Sequence, residues 1–440
     1  MNQSPWPPYP KYKDSGVEWL GKVPEHWEVK KIRNISTSLD HKRIPLNAEQ
    51  RAEKQGNIPY WGANSIVDYI NELIFDETLV LLGEDGAPFF EKDKPVAFLS
   101  IGPIWPNNHI HVLRINSTAD PGFVKYSLNS VDYSNFVDGS TRDKLTQSKM
   151  NNIQLSFPPL SEQLAIVSFL DQETSRIDAL ISEKERLISL LQEYRQTLIS
   201  HTVIKGLDPN VKMKDSGVEW LGEVPEHWEI LRLKRVLESL EYGISESLST
   251  DGEIPILRMS NIYDGKIFWD DLKFVDSVED SLYLQNGDLL FNRTNSLDLV
   301  GKVGLFEENR TFKTVSFASY LVRLRPNNRA NSKYLDYLLN IPSFLSEARS
   351  NAIPSIGQAN LNPTRYSHLL VAVPPLEEQQ NINDLLDQET SRIDTLISES
   401  RTFIDLLKEY RSSLITAAVT GKIDVRGFTP LGSEKKTTDE

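Results

Sequence analysis

Cysteine is absent from the 440 residues, which removes disulfides, thiolate metal sites and thiol nucleophiles together. Such a chain suits a reducing cytoplasm, where we expect it. No uninterrupted apolar run reaches the roughly 18 residues of a membrane span, and no basic leader with an apolar core opens the sequence. Neither membrane insertion nor secretion is expected. Positive charge is also short: 48 Lys and Arg against 62 Asp and Glu leave a formal charge of −14. That balance disfavours unaided binding to a polyanion such as duplex nucleic acid. Only short basic groups, such as Lys30, Lys31 and Arg33 or Arg323, Arg325 and Arg329, offer local footprints. Hydrophobic residues at 39% and charged residues at 25% are ordinary for soluble domains, and the length allows about two to four of them.

What the sequence has in abundance is repetition. KDSGVEWLGKVPEHWEV at 13–29 returns as KDSGVEWLGEVPEHWEI at 214–230, and PPLSEQ...FLDQETSRIDALIS at 158–182 returns as PPLEEQ...LLDQETSRIDTLIS at 374–398. The first offset is 201 positions and the second 216, so the segments between the blocks differ by 15 residues. Those segments, 34–156 and 236–372, show little residue-by-residue likeness. Near-identical frames around unlike inserts imply that the frames meet one thing twice and the inserts meet two different things. The chain divides into a frame (1–33), an insert (34–156), a long helix (157–206), a second frame (207–235), a second insert (236–372), a second helix (373–421) and a tail (422–440) whose end is expected to lack fixed structure.

After each Pro-Pro pair, Ile177, Leu180, Ile181, Leu187, Ile188, Leu191, Tyr194 and Leu198 recur at three- and four-residue steps, and Ile393, Leu396, Ile397, Phe403, Ile404, Leu407, Tyr410 and Leu414 match them position for position. The spacing predicts two long amphipathic helices. Their equal phase predicts mutual packing, with unrelated core stripes as the plainer alternative. With Ile177 at heptad position a, the next a positions hold Lys184 and Ser400, polar interruptions that fix register at some cost in stability. Gly206 and Gly421 follow the two patterns as C-terminal caps. The tail after Gly421 echoes the linker after Gly206, which predicts adjacent termini, circular pseudo-two-fold symmetry and antiparallel helices. Both inserts alternate short β-branched or aromatic runs with Gly, Asn and Asp turns and end in a helical stretch. The expected class is α+β: two mostly-β domains with small helices, separated by two long antiparallel coiled-coil helices.

The runs GVEWLGKVPEHWEV, PPLSEQ and PPLEEQ, IKGLDP and ITAAVTGKIDVRG, and their order, resemble those of type I restriction-modification specificity subunits over nearly the whole chain. The resemblance implies a non-catalytic, cytoplasmic subunit whose two inserts are target recognition domains, each reading one half of a split site in double-stranded DNA. It also implies two methyltransferase (modification) subunits as partners and two restriction subunits in the full complex. S-adenosylmethionine, magnesium and ATP are then expected on those partners, with no cofactor in this chain. A partner that supplies phosphate contacts would reconcile DNA recognition with the acidic charge. IPYWGANSIVDYI at 58–70, LLGEDGAP at 81–88 and NNHIHVLR at 107–114 are similar to one common type of recognition domain; IPILRMSNIYDGKI at 254–267 and GDLLFNRTNSLDLVGKVG at 287–304 are similar to another. Helices of some 40 residues would span roughly 60 Å, enough to hold two such domains apart on a duplex.

Base-edge readout needs forked donors and acceptors on well-held loops: Arg for guanine, Asn or Gln for adenine, Asp or Glu for the cytosine amino group. In the second insert Asn292, Arg293, Thr294, Asn295 and Ser296 supply these in one polar loop after an apolar strand; an Asn-rich structural turn is the competing reading. Arg258, Ser260 and Asn261, and Ser355, Gln358 and Asn360, are further DNA-binding candidates. In the first insert the candidates are Trp61, Asn64, Ser65, Glu84, Asp85 and His109, with Arg142, Lys144 and Gln147 near its end, against a plain solvated surface. The identical DQETSRID blocks nominate Gln172, Glu173 and Arg176, matched by Gln388, Glu389 and Arg392, for docking the shared partner, or equally for packing the helices together.

Other chemistry finds little support. His109 and His111 would share a face of a strand, but no third ligand stands at a convincing spacing, so no metal is expected. GVEWLGKV at 16–23 matches a phosphate loop only to its seventh position, and Glu223 replaces Lys22 in the repeat; Trp19, Trp27, Trp220 and Trp228 read better as anchors of the frame. NPTRY at 362–366 lacks the second proline of an Asn-Pro-Pro-aromatic methyltransferase motif, and no nuclease cluster stands out. No catalytic residue is nominated. The runner-up reading is a coiled-coil scaffold that binds proteins without DNA, which the charge favours and the unlike inserts oppose.

Overall fold

The repeated frame folds the same way twice. In the computed structural model, which describes residues 6–91, 93–138, 143–263, 265–308, 311–355 and 357–429, Tyr12–Asp14 pairs antiparallel with Lys22–Pro24, and Met213–Asp215 with Glu223–Pro225. Asp14 and Asp215 start the intervening turns by accepting the Gly16 and Gly217 amides, each at 2.9 Å. The indoles of Trp27 and Trp228 end fully buried, while Trp19 and Trp220 pack at the edges of their cores. The GVEWLGKV segment is thus the turn of a hairpin, without the strand-to-helix geometry of a phosphate cradle.

Contacts gather the chain into two compact units, 1–185 with 400–440, and 186–399. The division falls within both long helices and not at their ends. In the first unit the insert builds a four-stranded antiparallel sheet in the order Ser36–Ser38, Ile110–Ile115, Leu79–Gly83, Ala97–Ser100. A second sheet runs Ile66–Ile70, Gln55–Trp61, Pro103–Pro106, Phe75–Asp76, with Trp105 parallel to Tyr60. In the second unit the corresponding sheets are Leu237–Tyr242, Leu321–Pro326, Leu289–Asn292, Val303–Leu305, and Lys273–Val275, Ile254–Leu257, Ser316–Phe317, with Ile256 parallel to Ser316. Two inserts without evident sequence likeness therefore share one topology. Leu79–Gly83 and Leu289–Asn292 are central and buried along their whole length, which explains their unbroken apolar runs.

A short helix follows each main sheet, Pro121–Leu128 capped by Asp120 and Ser332–Leu339 capped by Asn331. The residue after each, Asn129 or Asn340, clamps a sheet edge: Asn129 accepts from the Val96 and Ala97 amides and donates to Ala97 O, and Asn340 accepts from Val303 N and donates to Val303 O. Each insert then returns to its frame, Gln154–Phe157 pairing with Glu28–Lys31 and Leu370–Val373 with Glu229–Arg232.

The long helices are Leu160–Lys205 and Leu376–Val419. Their first turns lock onto the frames. Glu162 accepts from Trp27 Nε1 at 3.0 Å, Tyr9 Oη at 3.1 Å and lies 2.7 Å from His26 Nε2; Glu378 accepts from Trp228 Nε1 at 3.1 Å and lies 2.8 Å from His227 Nε2. Further along, Tyr126 donates to Asp171 at 2.6 Å and Tyr337 to Asp387 at 2.8 Å, tying each insert to its helix. The helices run antiparallel within each unit. Arg411 pairs with Asp178 at 2.8 Å in the first unit and Arg195 with Asp394 at 3.0 Å in the second, repeat-equivalent contacts. Mutual packing accounts for only part of the apolar stripe, however: Leu187, Tyr194, Leu396, Phe403 and Tyr410 are exposed. At the interrupting a positions, Ser400 is buried, and Lys184 lies 5.4 Å from the Phe403 ring. In the first unit the two ends of the described chain meet, Asp424 N donating to Pro7 O at 2.7 Å and Tyr12 Oη to Gly421 O at 3.0 Å. The nominated Arg142 and the chain end beyond residue 429 lie outside the described residues. Among the described residues no helix is long and apolar enough to cross a membrane.

Candidate nucleic-acid interface

The loops nominated in the two unlike inserts occupy the same place in their domains. Glu84 follows the buried strand Leu79–Gly83, donates its amide to His109 O at 2.9 Å and accepts from Leu145 N at 2.8 Å. Arg293 follows Leu289–Asn292, donates to Tyr320 O at 3.2 Å and accepts from Leu361 N at 2.8 Å. Asp85 bridges Lys144, just as Thr294 pairs with Asn360. By backbone pairing, Glu84 corresponds to Arg293, Asp85 to Thr294, His109 to Tyr320 and Lys144 to Asn360. One structural position thus carries opposite charge in the two domains.

In the first domain the loop is an ion cluster. Arg43 donates to Glu84 at 2.6 Å and to Ile110 O at 2.8 Å, and Lys144 Nζ lies 3.4 Å from the other Glu84 oxygen. His111, 1% exposed, places Nδ1 2.6 Å from Asp40 and Nε2 2.8 Å from Leu145 O. Burial pushes the Asp40 carboxyl up, but the His111 hydrogen bond and charge, the Val112 amide and Arg43 together hold it below the ordinary Asp value. Asp40, Glu84 and His111 bring possible ligand atoms within 4.8 Å of one another; the Arg43 guanidinium already supplies the cation these carboxylates need. Glu84 therefore positions its neighbours, while Asp85 and His109, 3.4 Å apart, and the Lys144 side chain reach the rim. Asn64 and Ser65 are exposed at a separate hairpin tip. Gln147 is exposed and donates to Ser38 at 2.8 Å. Trp61 packs against Phe98, ring centres 5.3 Å apart, and acts as a core residue.

In the second domain, segments nominated separately meet. Thr294–Asn295, Gln358–Asn360 and Ile353–Ser355 form one three-stranded sheet, so the Asn295 loop and the Gln358 strand share an edge. Arg293 lies 5.2 Å from the ring of Tyr242, and Tyr242 and Tyr320 are both about half exposed. The structure withdraws three nominations. Asn261, 2% exposed, spends its side chain on Arg258 N, Phe268 O and Asp270 O. Thr294, 4% exposed, donates to Asn360 at 2.6 Å. Asn292 is fully buried, and neither end of its amide meets a protein partner among the described residues. Asn292 ends a strand that is buried at every position, Thr294 faces its pairing partner Asn360, and Asn261 lies in the one-turn helix Met259–Asn261 with its side chain folded back onto nearby backbone. Arg258 pairs with Asp271 at 2.9 Å; Ser260 is exposed beside it, and Ser296 donates its amide to Asn295 Oδ1. NPTRY is a helix cap: Asn362 accepts from Thr364 N and Arg365 N, and Tyr366 stacks on Phe291 at 4.3 Å.

Sequence reasoning missed Arg43, Tyr242 and Tyr320. Arg43 sits in a HKR run that offered a signal; the tyrosines looked like strand residues. It also missed a second repeated surface on the long helices. Leu187, Leu190 and Tyr194 in the second unit are 39%, 52% and 55% exposed, and their repeat equivalents Phe403, Leu406 and Tyr410 in the first are 44%, 56% and 46%. Of the nominated docking residues, Arg176, Arg392 and Gln388 are exposed, and Gln172, Glu173 and Glu389 are partly so.

The profile of the family described as Type I restriction modification DNA specificity domain matches residues 24–189 and 225–401. Over 435 residues the chain is 24% identical to the type I restriction enzyme EcoKI specificity subunit of Escherichia coli (strain K12), covering 92% of this chain and 90% of that one. It is also 24% identical over 431 residues to the MjaVIII specificity subunit of Methanocaldococcus jannaschii, covering 92% and 95%. Among solved structures, a chain of a type I R-M system aligns at a TM-score of 0.68 and 15% identity, covering 91% of this chain and 99% of that one. The HsdS subunit from Thermoanaerobacter tengcongensis aligns at 0.54 and 15%, covering 93% and 100%. These structures share the fold.

Proposed function

Since this chain belongs to the type I restriction-modification DNA specificity family, matched in both of its halves, we propose that it directs such a complex to a split DNA site, one half read by each insert. The observation that carries this is the pair of equivalent loops: one backbone framework that carries Asp85, His109 and Lys144 in one domain and Arg293, Tyr320 and Asn360 in the other. A common scaffold with exchanged polar side chains is what two different base sequences require. The DNA-facing set is Asn64, Ser65, Asp85, His109, Lys144 and Gln147 in the first domain, and Arg293, Asn295, Ser296, Gln358, Asn360, Arg258 and Ser260 in the second.

The repeats dock two copies of one methyltransferase subunit. The matched exposed stripes Leu187, Leu190, Tyr194 and Phe403, Leu406, Tyr410 support this, because an apolar face left open on a helix marks an interaction surface. Arg176 and Arg392 with their DQETSRID neighbours extend that surface. Catalysis, S-adenosylmethionine, magnesium and ATP belong to the partners, restriction subunits included, and the assembly works in the cytoplasm. A gel shift tests the reading: the chain of charge −14 holds duplex DNA poorly alone and tightly with its methyltransferase co-expressed. A scaffold that does not touch DNA would leave the shift unchanged when the chain is withdrawn from the mixture.

A further inference from the structure

Resting on that reading, we propose that Arg293 reads a guanine in the half-site of the second domain, its guanidinium held in place by Tyr242. The guanidinium carbon stands 5.2 Å from the Tyr242 ring centre. The side chain is partly buried, and its Nε is enclosed without a protein partner among the described residues. Four other arginines of the second insert pair with carboxylates: Arg258 with Asp271, Arg323 with Glu241, Arg325 with Asp288 and Arg329 with Glu229. Among the described residues no carboxylate pairs with Arg293.

An arginine held against an aromatic ring has already lost much of its side-chain freedom, and its two terminal nitrogens form the planar fork that guanine O6 and N7 accept. The first domain argues against a phosphate contact. A backbone clamp would keep a cation at the equivalent position in both domains, since phosphates are alike in every sequence. That position holds Glu84, bound to Arg43 and Lys144.

The test uses the full chain with its methyltransferase. Methylation-sensitive sequencing of the host defines both half-sites, and gel shifts on duplexes carrying each single base-pair change measure discrimination. Arg293→Ala is expected to lose roughly ten- to hundred-fold discrimination at one G·C pair of the second half-site and none in the first. Arg293→Lys loses a similar amount, because a point charge cannot form the fork. Tyr242→Ala loses part of it, and Tyr242→Phe keeps it. Undiminished discrimination in the first half-site reports a folded complex in each case. The inference is overturned by a second half-site with no required G·C pair, by unchanged discrimination in Arg293→Ala, or by uniform weakening with a salt slope lower by about one, the signature of a phosphate contact. Absence of two separate half-sites for the unaltered complex would instead overturn the proposed function itself.

Discussion

Replacing Glu162 by alanine tests how the repeated frame is locked to its helix. The carboxylate is 9% exposed and takes hydrogen bonds from Trp27 Nε1 at 3.0 Å and Tyr9 Oη at 3.1 Å, with His26 Nε2 at 2.7 Å. His26 is 44% exposed in its side chain and can turn to water. Trp27, at 0%, and Tyr9, at 3%, cannot. Burial and the adjacent Glu162 push the Tyr9 phenol well above its ordinary pKa, so it remains a donor at any working pH. Two buried donors are therefore orphaned, at about 1–3 kcal/mol each, for a total of about 2–6 kcal/mol. Glu378→Ala in the second unit orphans only Trp228, since His227 is 46% exposed, and should cost about 1–3 kcal/mol. Urea unfolding followed by tryptophan fluorescence, with hydrogen exchange over 22–31 and 223–232 to assign each loss to its frame, measures both. Glu162→Ala is expected to be the more destabilising. Equal losses, or a loss below about 0.5 kcal/mol for either, would refute the argument that this carboxylate is the lock.

Gly421→Ala should be much worse than Gly16→Ala, although both glycines have φ near +70°. A Cβ at 421 would meet Pro24 Cδ at 2.4 Å and Trp27 Cζ3 at 3.0 Å, whereas one at 16 meets nothing within 4 Å; thermal unfolding should show roughly 1–2 kcal/mol of left-handed strain at 16 and clearly more at 421. Asp40 has a folded pKa below its unfolded one, so its contribution is present above the ordinary carboxylate range, about pH 4, and is lost as pH falls through the lower folded value. Asp40→Asn should reduce stability at neutral pH and flatten the acid limb of a pH titration of first-unit unfolding; an unchanged acid limb would contradict the cluster's electrostatics. Leu190→Asp or Leu406→Asp should each remove one methyltransferase subunit from the purified complex, and both together should remove two, as read by native mass spectrometry. Full occupancy in the double variant would refute the stripe as a docking surface.

The frames and helices were legible because repetition marked them: EHWE and PPLSEQ recur, and the structure joins each His-Trp pair to the glutamate of the following helix. The common topology of the inserts was not legible. What survives between them is a sparse set of polar clamps, Asp120, Tyr126 and Asn129 against Asn331, Tyr337 and Asn340, at identical spacing in and around otherwise unlike helices. The polar loops proposed to face DNA were chosen by composition, but which of their side chains turn outward depends on the fold. Asn292 is enclosed in a central strand and Asn261 in a one-turn helix, and the role of Glu84 depends on Arg43, distant in sequence and brought close only by the fold.

The most direct test of the central claim is the exchange of residues 34–156 for the corresponding domain of another family member, followed by methylation-sensitive sequencing of a host carrying the complex. One half of the split site should change while the other half stays the same. A change in both halves, or in neither, would contradict the account.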